Sequence, residues 1–218
     1  MAAFDSSKHD FDLDIVIEAL DSCHKDGDVL DLTQYLSAYH ELCRFFRLTG
    51  RLFGYVGKDL EGKIRIIEVH QSSSEGGHYK TIQGMLDYEF ENELALKKSL
   101  GPKNIASGSR TLLRLHRALE FILEFMRRIE KGSDDDRMSD VAWDVYMETL
   151  ANHHPWIVQK VAAIGVYMLP SRRKLISSMC KQEPETVLSL VGKVIEKGTP
   201  IYDITQKLYR DKNLLNIP

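Results

Sequence analysis

Cysteine is scarce. The 218 residues hold three, Cys23, Cys43 and Cys180, odd in number and far apart. That spacing excludes a disulfide framework and a zinc knuckle. No stretch approaches the run of about 18 apolar residues that a membrane-crossing helix needs. The first 20 residues also lack the basic-then-apolar order of a secretory leader. The expectation is a reduced, cytoplasmic chain. A basic excess is missing too: 29 Lys and Arg stand against 32 Asp and Glu, a net charge of -3, which argues against a general nucleic-acid binder. There is no Walker loop, no Gly-x-Gly-x-x-Gly and no Gly-x-Ser-x-Gly elbow, and His9, His24, His40, His70, His78 and His116 carry no metal-ligand spacing. Nucleotide binding, serine hydrolysis and metal chemistry therefore find no support. No cofactor, no metal and no enzymatic activity are expected.

What the chain has in abundance is helical periodicity. Apolar residues recur at helical spacing from Phe11 to Leu20, with a cap near Asp10, and again from Leu32 to Phe46 and from Leu52 to Val69. The Ser72–Gly77 stretch reads as a flexible loop. Helix is expected again over 79–98, ending at Gly101-Pro102, and then over 109–131, with the acidic stretch 133–136 as its solvated exit. Further helices are predicted over 142–150, 156–168, 172–179, 185–196 and 201–209. No convincing alternating β-branched run interrupts them, no linker divides them, and no internal repeat is visible. The prediction is one all-α domain spanning 1–218, with about eight helices.

Two of these helices place charge on the wrong face. With residues 100° apart, Leu52, Tyr55, Val56, Leu60, Ile64, Ile66 and Ile67 make an apolar arc, and Lys58, Glu61, Arg65 and Glu68 gather opposite. Asp59 and Lys63 project into the arc instead. An i,i+4 surface pair is worth only a few tenths of a kcal/mol and belongs with the other charges, whereas a buried pair is a poor stabiliser compared with packed hydrophobes. The 109–131 segment repeats the anomaly. Arg114 points between Phe121 and Phe125, Arg110 lies at the edge of the apolar arc, and Arg117 falls nearer the polar side, as a rim or surface residue. From Lys97 to Lys131 there are nine basic and three acidic residues. If the two helices pack together, Lys63, Arg110 and Arg114 outnumber Asp59, and the excess asks for an anion. Phosphate suits the guanidinium fork, and an apolar interior beneath it points to a phospholipid-like ligand.

The segments Asp59-Leu60-Glu61-Gly62-Lys63, Ser109-Arg110-Thr111-Leu112-Leu113-Arg114-Leu115-His116-Arg117-Ala118-Leu119 and His154-Pro155-Trp156 resemble the glycolipid transfer protein superfamily, in particular its ceramide-1-phosphate branch. The likeness runs over nearly the whole chain, including Gln206–Tyr209 and the Leu214–Pro218 tail. It implies a two-layer helical sandwich enclosing a lipid pocket. It implies that Asp59 accepts from the sphingoid amide N–H, that His154 donates to the acyl carbonyl, and that Lys63, Arg110 and Arg114 hold the phosphate. Sugar-binding members carry Asn and Trp at the positions of Lys63 and Arg114, so a sugar platform is absent here.

The implied activity is non-vesicular transfer of ceramide 1-phosphate between membranes. A glycolipid carrier or sensor is the alternative, and a helical adaptor without lipid the remoter one. The implied setting is a cytoplasmic monomer making transient contact with membranes, anionic lipids among them, at the Golgi, endosomes and the inner face of the plasma membrane. Trp156, Phe45, Phe46, Phe53 and Tyr55 are candidates for the pocket wall or for insertion into the bilayer, and Arg172-Arg173-Lys174 for an anionic-lipid contact.

Overall fold

The computed structural model describes residues 11–48, 51–100, 104–179 and 181–217, with all their side chains except those of 51–53, 178 and 179. Helix α1 spans Leu13–Cys23 and is capped by Asp12, whose carboxylate accepts from the Asp14 N–H at 3.0 Å. Asp10, where the cap was expected, lies outside the described residues. Two-residue strands β1 (His24–Lys25) and β2 (Val29–Leu30) pair antiparallel around Gly27, whose φ of +72° favours glycine. There follow α2 (Leu32–Leu48), α3 (Arg51–Gln71), α4 (Ile82–Glu91), α5 (Gly108–Lys131), α6 (Met138–Thr149), α7 (Trp156–Tyr167), α8 (Arg172–Met179) and α9 (Pro184–Asp211). Among the described residues there are thus nine α-helices rather than about eight.

Two boundaries differ from expectation for definable reasons. Helix α4 stops at Glu91, not at Lys98. The Leu94 N–H reaches back to the Glu89 carbonyl at 2.7 Å and the Glu93 N–H to that of Phe90 at 3.1 Å, a Schellman closure. Its left-handed residue is Glu93, with φ +55°. A Gly there would have signalled the stop. The expected break at Gly101-Pro102 lies outside the described residues. Conversely, the helices expected over 185–196 and 201–209 are one, because α9 runs straight through Pro200. Proline removes one backbone donor, but Val194, Ile201 and Thr205 on either side are buried. The contact is also close at Gly198, where an added Cβ would fall 2.8 Å from Leu123.

Helix α5 is the central element, packing against α3, α4, α6 and α9, while α2 packs against α1 and α3. Phe11, Phe45, Phe46, Phe121, Phe125 and Leu175 are among the residues around an apolar cavity of about 50 Å³. Phe45 and Phe46 therefore belong to the pocket wall; the Phe53 side chain lies outside the described ones. Of the Arg172–Lys174 cluster, Arg173 and Lys174 are exposed, whereas Arg172 is taken up by the protein itself. Arg172 is buried, donates from Nε to the Ile129 carbonyl at 2.6 Å and pairs with Asp134 at 2.9 Å, and Arg173 pairs with the same carboxylate at 3.2 Å. Arg172 and Arg173 thus tie the start of α8 to the end of α5 and the acidic turn after it.

Candidate functional site

Helix α3 buries Leu60, Ile64 and Ile67 and carries Asp59 and Lys63 one turn apart. They form a direct ion pair, but not a buried one: the Lys63 side chain is 17% accessible and that of Asp59 67%. The expectation that both project into the interior is thus corrected for Asp59. The Lys63 side chain is largely covered, and its ammonium meets the exposed Asp59 carboxylate.

Helix α5 begins at a Ser107 cap, whose hydroxyl accepts from the Arg110 N–H at 3.2 Å. Arg110 is buried, with 7% exposure, and its Nη1 has no hydrogen-bond partner. Burial, and secondarily the neighbouring Arg114, push its pKa below the usual guanidinium value. Arg114 is exposed rather than embedded, and its Nη1 donates to the Arg110 carbonyl at 2.7 Å. Two positively charged forks thus stand on one turn.

Arg117, assigned to the rim by its angle, joins them. It is half-buried and donates to the Leu215 carbonyl at 2.7 Å. Burial and then Arg114 lower its pKa. Seven residues make roughly two turns, so Arg110 and Arg117 share a face, a signal present in the sequence itself. Farther along the same face come Phe121 and Phe125, on the cavity wall. One stripe of α5 is therefore cationic in its first half and aromatic in its second, charge followed by grease along the axis. Arg114 fell inside the apolar arc because it belongs to that stripe.

His154 lies in the turn between α6 and α7, half-buried, with Nδ1 2.9 Å from the Tyr146 hydroxyl. Burial chiefly lowers its pKa. Asp59 opposes that shift, while Lys63 and Arg117 add to it. The imidazole is therefore neutral at pH 7, and it lies within electrostatic reach of both residues of α3 and of α5. The structure accordingly groups His154 with Asp59, Lys63 and Arg117, and Arg110 with Arg114. Tyr146, which orients the ring, had no sequence signal. Its neighbour His153 is exposed. His116 is elsewhere in function: buried, bonded to Gln206 at 2.7 Å and stacked on Tyr202.

Beside this site the surface turns apolar. In α7, Trp156, Ile157, Val161, Ile164 and Tyr167 are exposed, the first by 69%. Tyr55 and Val56, near the start of α3, are exposed as well, and α7 packs against α3. Lys160 sits 5.5 Å from the Trp156 ring. So large an exposed apolar face marks an interaction surface.

Comparison with known proteins is consistent with this arrangement. The family model described as Glycolipid transfer protein (GLTP) matches residues 30–181. The chain is similar to the ceramide-1-phosphate transfer protein of Mus musculus, 35% identical over 216 residues, covering 98% of this chain and 100% of that one. It is similar to that of Danio rerio, 35% identical over 210 residues, covering 95% and 98%. The crystal structure of the mouse protein in its apo form superposes with a TM-score of 0.88 at 34% identity, covering 95% of this chain and all of that one. That of the human protein in complex with 12:0 ceramide 1-phosphate gives 0.87 at 29% identity, with the same coverage.

Proposed function

The chain belongs to the glycolipid transfer protein family, and from that premise we propose that it carries ceramide 1-phosphate between membranes. The observation that carries the reading is Arg110: a buried guanidinium with an unpartnered Nη1 beside a second arginine, at the head of a stripe that ends in the apolar cavity. A buried charge without a partner is costly, and a phosphate monoester supplies the oxygen that Arg110 Nη1 lacks, with Arg114 and Lys63, each already holding one protein acceptor, adding their remaining donors. Mouse and human relatives bear the name of that activity, and the human one has been crystallised with the lipid.

Asp59 accepts from the sphingoid amide. With the Tyr146 hydroxyl donating to Nδ1, His154 keeps its proton on Nε2 and donates to the acyl carbonyl. The whole chain acts as one domain. It holds the lipid and performs no chemistry on it, so the lipid is returned unchanged.

Transfer requires desorbing two chains of about 30 methylenes, worth on the order of 25 kcal/mol against water at ~0.8 kcal/mol each. Moving them from a bilayer to an apolar pocket nearly cancels that sum, so burial permits transfer without choosing the lipid. The headgroup chooses. The exposed face of α7, with Tyr55 and Val56 alongside, is the surface laid against the bilayer while the lipid passes. Its Trp and Tyr residues suit the interface between headgroups and chains. The protein works as a monomer in the cytoplasm, attached peripherally and reversibly to intracellular membranes, anionic ones included.

The test is transfer of fluorescent ceramide 1-phosphate between vesicles by the native chain and by Arg114→Leu. Arg114 is exposed, so the variant folds, and its transfer rate falls at least about tenfold for a lost charge-assisted bond. Competition with a galactosyl ceramide discriminates the headgroup. Native-like transfer by the variant, or preference for the sugar lipid, overturns the reading.

A further inference from the structure

Glu89 is fully buried, and a carboxylate in that position is costly unless its oxygens are met. They are met by α5. Oε1 accepts from the Gly108 N–H at 2.7 Å and from the Tyr79 hydroxyl at 2.8 Å, and Oε2 from the Ser109 N–H at 2.8 Å. Gly108 and Ser109 open α5, and Ser107 takes the next two amides: its hydroxyl accepts from Arg110, and its carbonyl from Thr111 at 3.1 Å.

All four N–H groups from Gly108 to Thr111 are thus engaged within the protein. A free helix N-terminus is an anion site. This one is closed, which leaves a phosphate to the side chains. The joint is also tight: a Cβ on Gly108 would lie 2.5 Å from the Met85 sulfur and 3.1 Å from Glu89 Oε1. The residue that follows this clamp is Arg110, whose backbone cannot shift without breaking it.

We propose that Glu89 is a positioning residue of the phosphate site, fixing the first turn of α5 so that the Arg110 guanidinium meets the headgroup. This rests on the carrier reading above and adds to it a specific residue that touches no lipid. Glu89 acts through Arg110 alone. Its charge is spent on backbone amides, so it leaves the guanidinium unneutralised, and a clamp one residue from the arginine sets where the fork points.

The test is a double-mutant cycle read as the affinity of vesicle-borne ceramide 1-phosphate, with the native chain, Glu89→Gln, Arg110→Ala and the double variant, and with urea midpoints taken on all four. Gln keeps the shape but turns an N–H against one of the two amides. Affinity falls about fivefold for Glu89→Gln in the native background and less than about twofold once Arg110 is gone. A purely structural role would give the same loss in both backgrounds, and that result overturns the proposal. Tyr79→Phe removes one donor and keeps both backbone bonds. Should Glu89→Gln fail to fold, the same cycle with Tyr79→Phe decides, non-additive loss supporting the role and additive loss refuting it. Failure of the native chain to bind the lipid overturns the carrier reading itself, whereas a binding native chain with additive losses overturns the positioning role alone.

Discussion

Replacing Arg110 with methionine should stabilise the protein while disabling it. Arg110 is 7% exposed and its Nη1 meets no acceptor, and Arg114 adds repulsion from the next turn. A buried donor left unmet costs about 1–3 kcal/mol, and replacing buried charge by an apolar side chain of similar volume is often neutral or stabilising. Methionine keeps the stem packed and removes the charge, so Arg110→Met should gain about 1 kcal/mol. With a urea slope near 2 kcal/mol/M for a chain of this size, the midpoint rises by roughly 0.5 M. Transfer moves the other way. Loss of a charge-assisted contact of about 1.5–3 kcal/mol lowers ceramide 1-phosphate transfer roughly 10–100-fold. The paired assay is urea unfolding followed by circular dichroism, with vesicle-to-vesicle transfer on the same preparation. Arg114→Met is the control, exposed and therefore within about 0.5 kcal/mol of native stability. A destabilised Arg110→Met variant that still transfers within twofold of native would falsify the reasoning: the arginine would then be a structural cation, and the phosphate would sit elsewhere.

His116 is held neutral by burial, its pKa brought down to about 4 from an ordinary 6.5. In the unfolded chain it takes up a proton as pH falls below about 6.5, while the folded chain resists until about 4. Stability is therefore complete above that window and lost within it, by up to about 3 kcal/mol at 1.36 kcal/mol per unit. His116→Gln should flatten the urea midpoint between pH 6.5 and 4, and an unchanged slope would refute the assignment. Trp156→Ala should leave stability within about 0.5 kcal/mol yet weaken partition onto vesicles roughly tenfold, measured by co-sedimentation; undiminished partition would remove α7 from the membrane surface. Ceramide lacking its phosphate should bind at least about tenfold more weakly than ceramide 1-phosphate, since it leaves the Arg110 and Arg114 guanidiniums unmatched; equal affinity in a competition assay would contradict the cation site.

The fold was legible wherever periodicity alone decides structure. The apolar stripes of α2, α3 and α5 gave their ranges to within a residue or two, because burial of one helix face is written locally. It was illegible where tertiary contacts decide. Pro200 reads as a stop, yet α9 continues because Gly198 lies against Leu123. Glu93 reads as helix, yet its left-handed conformation closes α4. The site shows the same division. Angles on a helical wheel singled out Lys63 and Arg114 as charges among hydrophobes. They could not tell an arc that faces the core from an arc that opens at its end, so Asp59 was placed inside when it stands at the rim. Tyr146 and Glu89 act through partners distant in sequence, and no local pattern marks such residues.

The lengthwise division of α5 also explains how one helix serves a ligand with two opposite solvation demands. An amphipathic helix usually separates polar from apolar around its circumference, so that the core lies on one side and water on the other. Here the stripe facing the ligand changes character along the axis. Arg114 and Phe121 share a direction and lie about 10 Å apart at 1.5 Å per residue, a separation on the scale of the distance between a phosphate and the upper methylenes of its chains. The apolar half meets a cavity of only about 50 Å³, far less than two acyl chains occupy. Lipid chains must therefore part the phenylalanines of α2 and α5, exchanging one apolar contact for another at little net cost. At the cationic half the exchange is incomplete, because Arg110 Nη1 has no protein acceptor to give up. Entry of the chains is near neutral and entry of the head is strongly favourable, so the phosphate, the smaller part of the molecule, decides which lipid is taken.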